Sequence, residues 1–181
     1  TLATEWAYRQ AFTAGEGTVI GTYKDGGVAA VAHDYGKGRA IIIGTLPGAA
    51  YLKPAIPLRP FGRGGENELS QFFPTRYTAG VADILDGMLK TVPRPVICGN
   101  RLVEATVLAA PDKYVIPLVN YPNGPIQSLT VHLDTWELGN LTDVRARFGP
   151  VMHLRRDTTG INLELPRRDK WEVLGVRRKA G

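Results

Sequence analysis

With 181 residues, 44% of them hydrophobic and 22% charged, the chain is long enough for one globular domain or two small ones. No apolar run approaches the ~20 residues that a membrane-spanning helix needs, so no membrane partner is expected. The single cysteine, Cys98, excludes an internal disulfide and leaves the compartment open between secreted, periplasmic and cytoplasmic.

The net charge of +5 is gathered in the last quarter, where Arg145, Arg147, Arg155, Arg156, Arg167, Arg168, Lys170, Arg177, Arg178 and Lys179 fall. Such a surface can draw nucleic acid or an anionic polysaccharide. Base stacking needs interleaved aromatics, and only Phe148 and Trp171 lie nearby. These cations therefore read as solvent faces and guarded edges of strands, with no nucleic-acid partner. The chain starts at Thr1 without a methionine or a signal peptide and reads as a piece of something longer.

Residues 1–12 set Leu2 and Trp6 on one side of a short, uncapped stretch, which predicts a helix or an irregular lead-in. Three strands follow within 17–48. Residues 18–23 alternate and are rich in β-branched side chains, Asp25-Gly26-Gly27 suits a tight hairpin, and 28–33 returns. After Gly36-Lys37-Gly38, the all-apolar 40–43 reads as a strand buried on both faces. Prolines 47, 54, 57 and 60 and the glycine-rich FGRGGENEL leave little regular structure over most of 47–73. A loop of that length is commonly functional or an interface.

Pro74-Thr75 opens a predicted helix, with Tyr77, Val81, Ile84, Leu85, Met88 and Leu89 on one stripe and Arg76, Asp83, Asp86 and Lys90 opposite. Pro93 and Pro95 stop it. Docked on the preceding strands, it would complete an α/β layer. From 95 onward the pattern changes to short strands, at 96–98, 102–109, 114–120, 128–133, 141–148, 151–155, 161–165 and 171–177. Turns punctuate them at the spacing of an antiparallel β-sandwich, and Pro166 is expected to end one strand.

These segments also carry a resemblance. DGGVAAVAHDYGKGRAIIIGT resembles a stretch near the end of the α/β domain that follows the catalytic barrel in family 42 beta-galactosidases. That trimerisation domain is similar in fold to class I glutamine amidotransferases and precedes a small β-sandwich. YVIPLVNYPNGPIQSLTVHL and NLELPRRDKWEVLGVRR resemble strands of the terminal sandwiches of many large glycosidases. The resemblance implies an α/β fold followed by all-β: the end of a flavodoxin-like, amidotransferase-like layer over 1–94 and a sandwich over 95–181. It further implies a non-catalytic, structural region of a glycoside hydrolase-like protein, partnered by the upstream catalytic domain of the same polypeptide and by further copies in a homo-oligomer. The amidotransferase nucleophile would lie upstream of Thr1.

No constellation of residues contradicts an inactive region. His33 and Asp34 are neighbours in a strand and point to opposite faces. Cys98 reads as a small buried apolar residue. Glu66 and Glu68 form the best acidic pair, but a flexible loop preorganises them poorly for glycoside hydrolysis. With Arg63 and Asn67 they are instead candidates for a contact with a neighbouring domain or subunit. His132 and His153 lack a third ligand at metal spacing, so no metal is expected, and no cofactor. Gly36–Arg39 lacks both the Walker pattern and a following helix, and is a hairpin turn. The alternative reading is a carbohydrate-binding module, with Tyr121 and the exposed Trp136 as sugar contacts. Trp171 is expected in the core of the last strand.

Overall fold

The computed structural model describes residues 8–55, 76–121, 124–169 and 171–178. They fall into two compact units, one containing 8–55 and 77–91 and the other containing 92–178. Both are dominated by antiparallel sheet.

The first unit is a three-stranded meander of β1 (Thr18–Thr22), β2 (Val28–Tyr35) and β3 (Gly38–Ile43), followed by short helices. At the first hairpin Gly26 takes φ 88°, which a side chain would resist, and Tyr23 and Gly27 close the turn through the Tyr23 amide. Tyr23 is buried, and its hydroxyl sits 2.9 Å from the Gln10 carbonyl and 2.7 Å from that of Gly44. The lead-in is extended where it is described: Phe12 bridges Val28, and Gln10 donates its amide to Gly44.

Ala30 and Ala32 of β2 are buried, with Ile41 and Ile43 of β3 half-buried beside them. The expectation that β3 is buried on both faces is corrected, since Ile42 is 58% exposed. Among the described strands β3 is an edge, paired with β2 alone. A run of isoleucines reports β propensity without reporting what covers each face.

Helix α1 (Pro47–Leu52) begins the proline-rich segment with Pro47 in its first turn, where a missing N–H costs nothing, and a 3-10 turn (Lys53–Ala55) follows. Helix α2 (Ala79–Met88) is shorter than the sequence pattern suggested. Its main packing is with α1, through Thr78, whose amide donates to Tyr51 and whose hydroxyl donates to Ala50. Val81 and Ala82 are its buried positions, Ile84, Leu85, Asp86 and Met88 are half-buried, and Leu89 is exposed. The flavodoxin-like layer, which rests on parallel strands, does not appear among the described residues.

The second unit is a sandwich. One sheet has the order β10-β11-β8-β4, from His153–Arg156, Gly160–Arg168, Ile126–Asp134 and Val96–Cys98. The other runs β5-β7-β12-β9, from Val103–Ala105, Lys113–Asn120, Trp171–Arg178 and Leu141–Ala146, with β6 (Leu108–Ala109) also on β7. Leu129, Val131, Leu133, Ile161, Leu163 and Leu165 from the first sheet meet Ile116, Leu118, Leu174 and Val176 from the second in one core. The short helix α3 (Thr135–Leu138) closes one end under Leu138.

Three expectations for this unit change. The strand predicted over 102–109 is broken into β5 and β6, because the gap lies opposite Pro117 of β7, which has no N–H to give. Pro166 does not end β11, which continues to Arg168 in register with β8. The missing N–H points to the side of β10, whose pairing has already ended at Glu164. Trp171 is 55% exposed, because the inward alternation of β12 is taken by Glu172, Leu174 and Val176.

Candidate functional site

The interface candidates Arg63, Glu66, Asn67 and Glu68 lie outside the described residues. In the sandwich, the Tyr121 hydroxyl donates to Glu104 at 2.8 Å, and this bond to a carboxylate raises the phenol pKa. Trp136 sits in α3, where its amide and that of Glu137 donate to Asp134 at the N-cap and leave the indole 84% exposed. Tyr121 precedes β8 and Trp136 follows it, so the length of a nine-residue strand, roughly 27 Å, lies between them. The structure does not bring these two aromatics into one site.

The first unit presents an open sheet face. Val19, Val31 and Ile42 form one cross-strand row, with Val19 41% and Ile42 58% exposed. Phe12, Glu16 and His33 join Val31 and Ile42 around a hollow of about 350 Å³ on the same face. An apolar row in contact with water is a common mark of a surface that associates.

The sandwich carries the richest cluster of polar groups. On the outer face of the β10-β11-β8-β4 sheet, pairing sets Ile97, His132, Asn162 and Arg155 in one row and Thr130, Glu164 and His153 in the next. These residues line a hollow of about 340 Å³. His132 Nδ1 lies 2.9 Å from Asn162 Oδ1, and Asn162 Nδ2 donates to Asp157 Oδ2 at 2.6 Å. The other oxygen of Asp157 accepts from the Thr159 hydroxyl, the Thr159 amide and the Gly160 amide, and these bonds hold the carboxyl down at about 2.

Gly160 makes the arrangement possible. A Cβ there would fall 2.0 Å from the Leu133 carbonyl oxygen and 3.0 Å from Cε1 of the His132 ring. In the sequence, His132 and His153 are weighed as metal ligands and Arg155 is one of the solvent-facing cations, while Asp157, Asn162 and Glu164 carry no sign of a site. The alternation in LTVHL and INLEL signals outward polar residues, but the register that sets His132 against Asn162 is a tertiary fact.

Cys98 faces the sandwich core, and burial pushes its thiol up to about 11. Among the described residues no three His, Cys, Asp or Glu side chains gather as a metal ion would require. No described helix is long and apolar enough to cross a membrane.

Comparison with protein-family models finds no match, and comparison with curated proteins finds none either. Among solved structures, a GH42 beta-galactosidase is similar to 91% of this chain at 17% identity and a TM-score of 0.45. The chain spans 18% of that protein's length.

Proposed function

We propose that this chain is a structural, association-mediating region of a glycoside hydrolase-like protein and does not itself catalyse. The observation that carries the reading is the apolar row of Val19, Val31 and Ile42 on the first unit's sheet, whose outer members Val19 and Ile42 are exposed. Burying such a row is favourable by roughly 25 cal/mol per Å², and although residues 12–17 shelter Val31, Val19 and Ile42 stand open to water. The residue resemblance around DGGVAAVAHDYGKGRAIIIGT supplies the context: the end of an amidotransferase-like layer whose remainder, an upstream catalytic domain and further copies of the chain would be its partners. Sedimentation velocity tests the reading. The chain should self-associate with rising concentration, and Ile42→Lys should shift it toward monomer without loss of secondary structure. A wild-type chain that stays monomeric over the whole accessible range would falsify it.

A further inference from the structure

We propose that the outer face of the β10-β11-β8-β4 sheet is a binding site for a neutral saccharide, held by His132, Arg155 and Glu164 over the apolar patch at Ile97. The site is independent of Tyr121 and Trp136 and of the association surface.

The argument begins at Asp157. Its carboxylate accepts from Asn162 Nδ2, and this fixes the orientation of the amide, because the oxygen end would repel the carboxylate. Asn162 Oδ1 must then face His132, so the nitrogen it meets, Nδ1, carries the proton. In the neutral imidazole Nε2 is left as an acceptor, and it has no hydrogen-bond partner among the described residues. The histidine is thus oriented and set in one tautomer before any ligand arrives, which lowers the entropic cost of binding.

Around that nitrogen stand complementary groups. Arg155, in the same row, makes no hydrogen bond or ion pair with a described residue and offers guanidinium donors. Glu164, in the next row, takes a hydrogen bond from Ser128 on Oε1 and retains Oε2 as an acceptor. The Thr130 hydroxyl can donate or accept. Donors and acceptors alternate at the spacing of adjacent strands, ~5 Å, which suits a ring bearing hydroxyls that each do both.

Charge and shape narrow the class. One guanidinium and one carboxylate line the hollow, so a phosphate or an acidic sugar would gain a cation and meet an anion together. At one edge Ile97 is exposed, and Gly99 has no side chain, since a Cβ there would fall 2.1 Å from Thr130 Oγ1. This leaves an apolar shelf for the C–H face of a pyranose. The volume of about 340 Å³ lies in the range of small-ligand sites, roughly 300–1,000 Å³.

The test is amide and imidazole NMR of the whole chain, titrated with lactose, cellobiose and maltose, with inorganic phosphate and glucuronate as anionic probes. At least one neutral sugar should shift Thr130, His132 and Asn162 and move the His132 Nε2 resonance. Arg155→Ala, on an exposed position, should weaken that binding roughly tenfold, and His132→Ala likewise, while Trp136→Ala should leave it unchanged. Three outcomes overturn the proposal: no shift on this face with any neutral sugar, tighter binding of phosphate or glucuronate than of the sugars, or shifts confined to Trp136 or Tyr121.

Discussion

Among the described charged residues Glu172 is the most deeply buried. It is 1% exposed, and its Oε1 accepts three backbone amides, from Arg147, Phe148 and Val173. Its other oxygen lies 2.7 Å from Nε of Arg168, itself 7% exposed, but off the line of that N–H, so the contact is charge to charge. Arg168 in turn donates to the carbonyls of Pro150, Pro166 and Arg167. The pair ties the turn after β9 to the link between β11 and β12. Glu172→Gln keeps an acceptor for the amides but strands a buried guanidinium, and should cost about 3–5 kcal/mol. Adding Arg168→Met to that variant should cost less than the two single changes summed, as a double-mutant cycle in chemical denaturation would read.

Asp157 and Cys98 give predictions with opposite signs on the pH axis. An unfolded aspartate titrates near ~3.9, whereas the folded carboxyl of Asp157 stays charged down to about 2. Its contribution to stability is therefore complete above pH ~4 and is lost as the pH falls toward 2. Asp157→Ala should flatten the acid limb of a stability curve across that window and leave its alkaline limb unchanged. The Cys98 thiol, at about 11, is protonated at neutral pH. Iodoacetamide should label it far more slowly at neutral pH than it labels a free cysteine, and equal rates would contradict the burial.

At the scale of elements, legibility followed periodicity. LTVHL and INLEL announced β8 and β11 because one face of each meets the core, so apolar residues recur every second position. What escaped was set by partners. Pro117 splits β5 from β6 across a ladder, and Pro166 is tolerated because a neighbouring strand ends early. The His132–Asn162 pair depends on the register of β8 with β11. Helix α2 shows the same limit. Its helical period was legible, but its buried face was not: Val81 and Ala82 are buried although Ala82 lies outside the predicted stripe, Leu85 and Asp86 are both half-buried, and Leu89 is exposed. Leu85→Ala should therefore cost about 1–2 kcal/mol, below the ~2–5 of a fully buried leucine. Val81→Ala should cost as much or more, although it removes less. Thermal melts that rank Leu85→Ala well above Val81→Ala would show the helix rotated from its described position.

At the scale of the whole molecule, the basic last quarter is less free than its composition suggests. Arg168 is buried against Glu172, Arg156 donates to the carbonyls of Leu141 and Thr142, and Arg178 lies 4.2 Å from the Tyr114 ring centroid. Arg145 and Arg167 pair with Asp143 and Asp169. Cations committed to carbonyls, rings and carboxylates release few counterions on meeting a polyanion. Retention on heparin or duplex DNA should therefore be weak and end at modest salt, despite a net charge of +5.

Catalysis tests the molecule as a whole. Glycoside hydrolysis needs two carboxylates across the scissile bond, one of them free to exchange a proton. In the sandwich groove Glu164 is one carboxylate, while Asp157 nearby is saturated by Thr159, Gly160 and Asn162 and held at about 2. Thiol chemistry would need a thiolate, and Cys98 keeps its proton to about 11. On the structural role proposed above, the purified chain should turn over no aryl glycoside, ester or glutamine, even at concentrations where its groove binds sugar. Replacing both Glu66 and Glu68 with Gln should leave it equally inert. Hydrolysis that survives purification and disappears on Glu164→Gln would mean that the groove is an active site and that the structural reading is wrong.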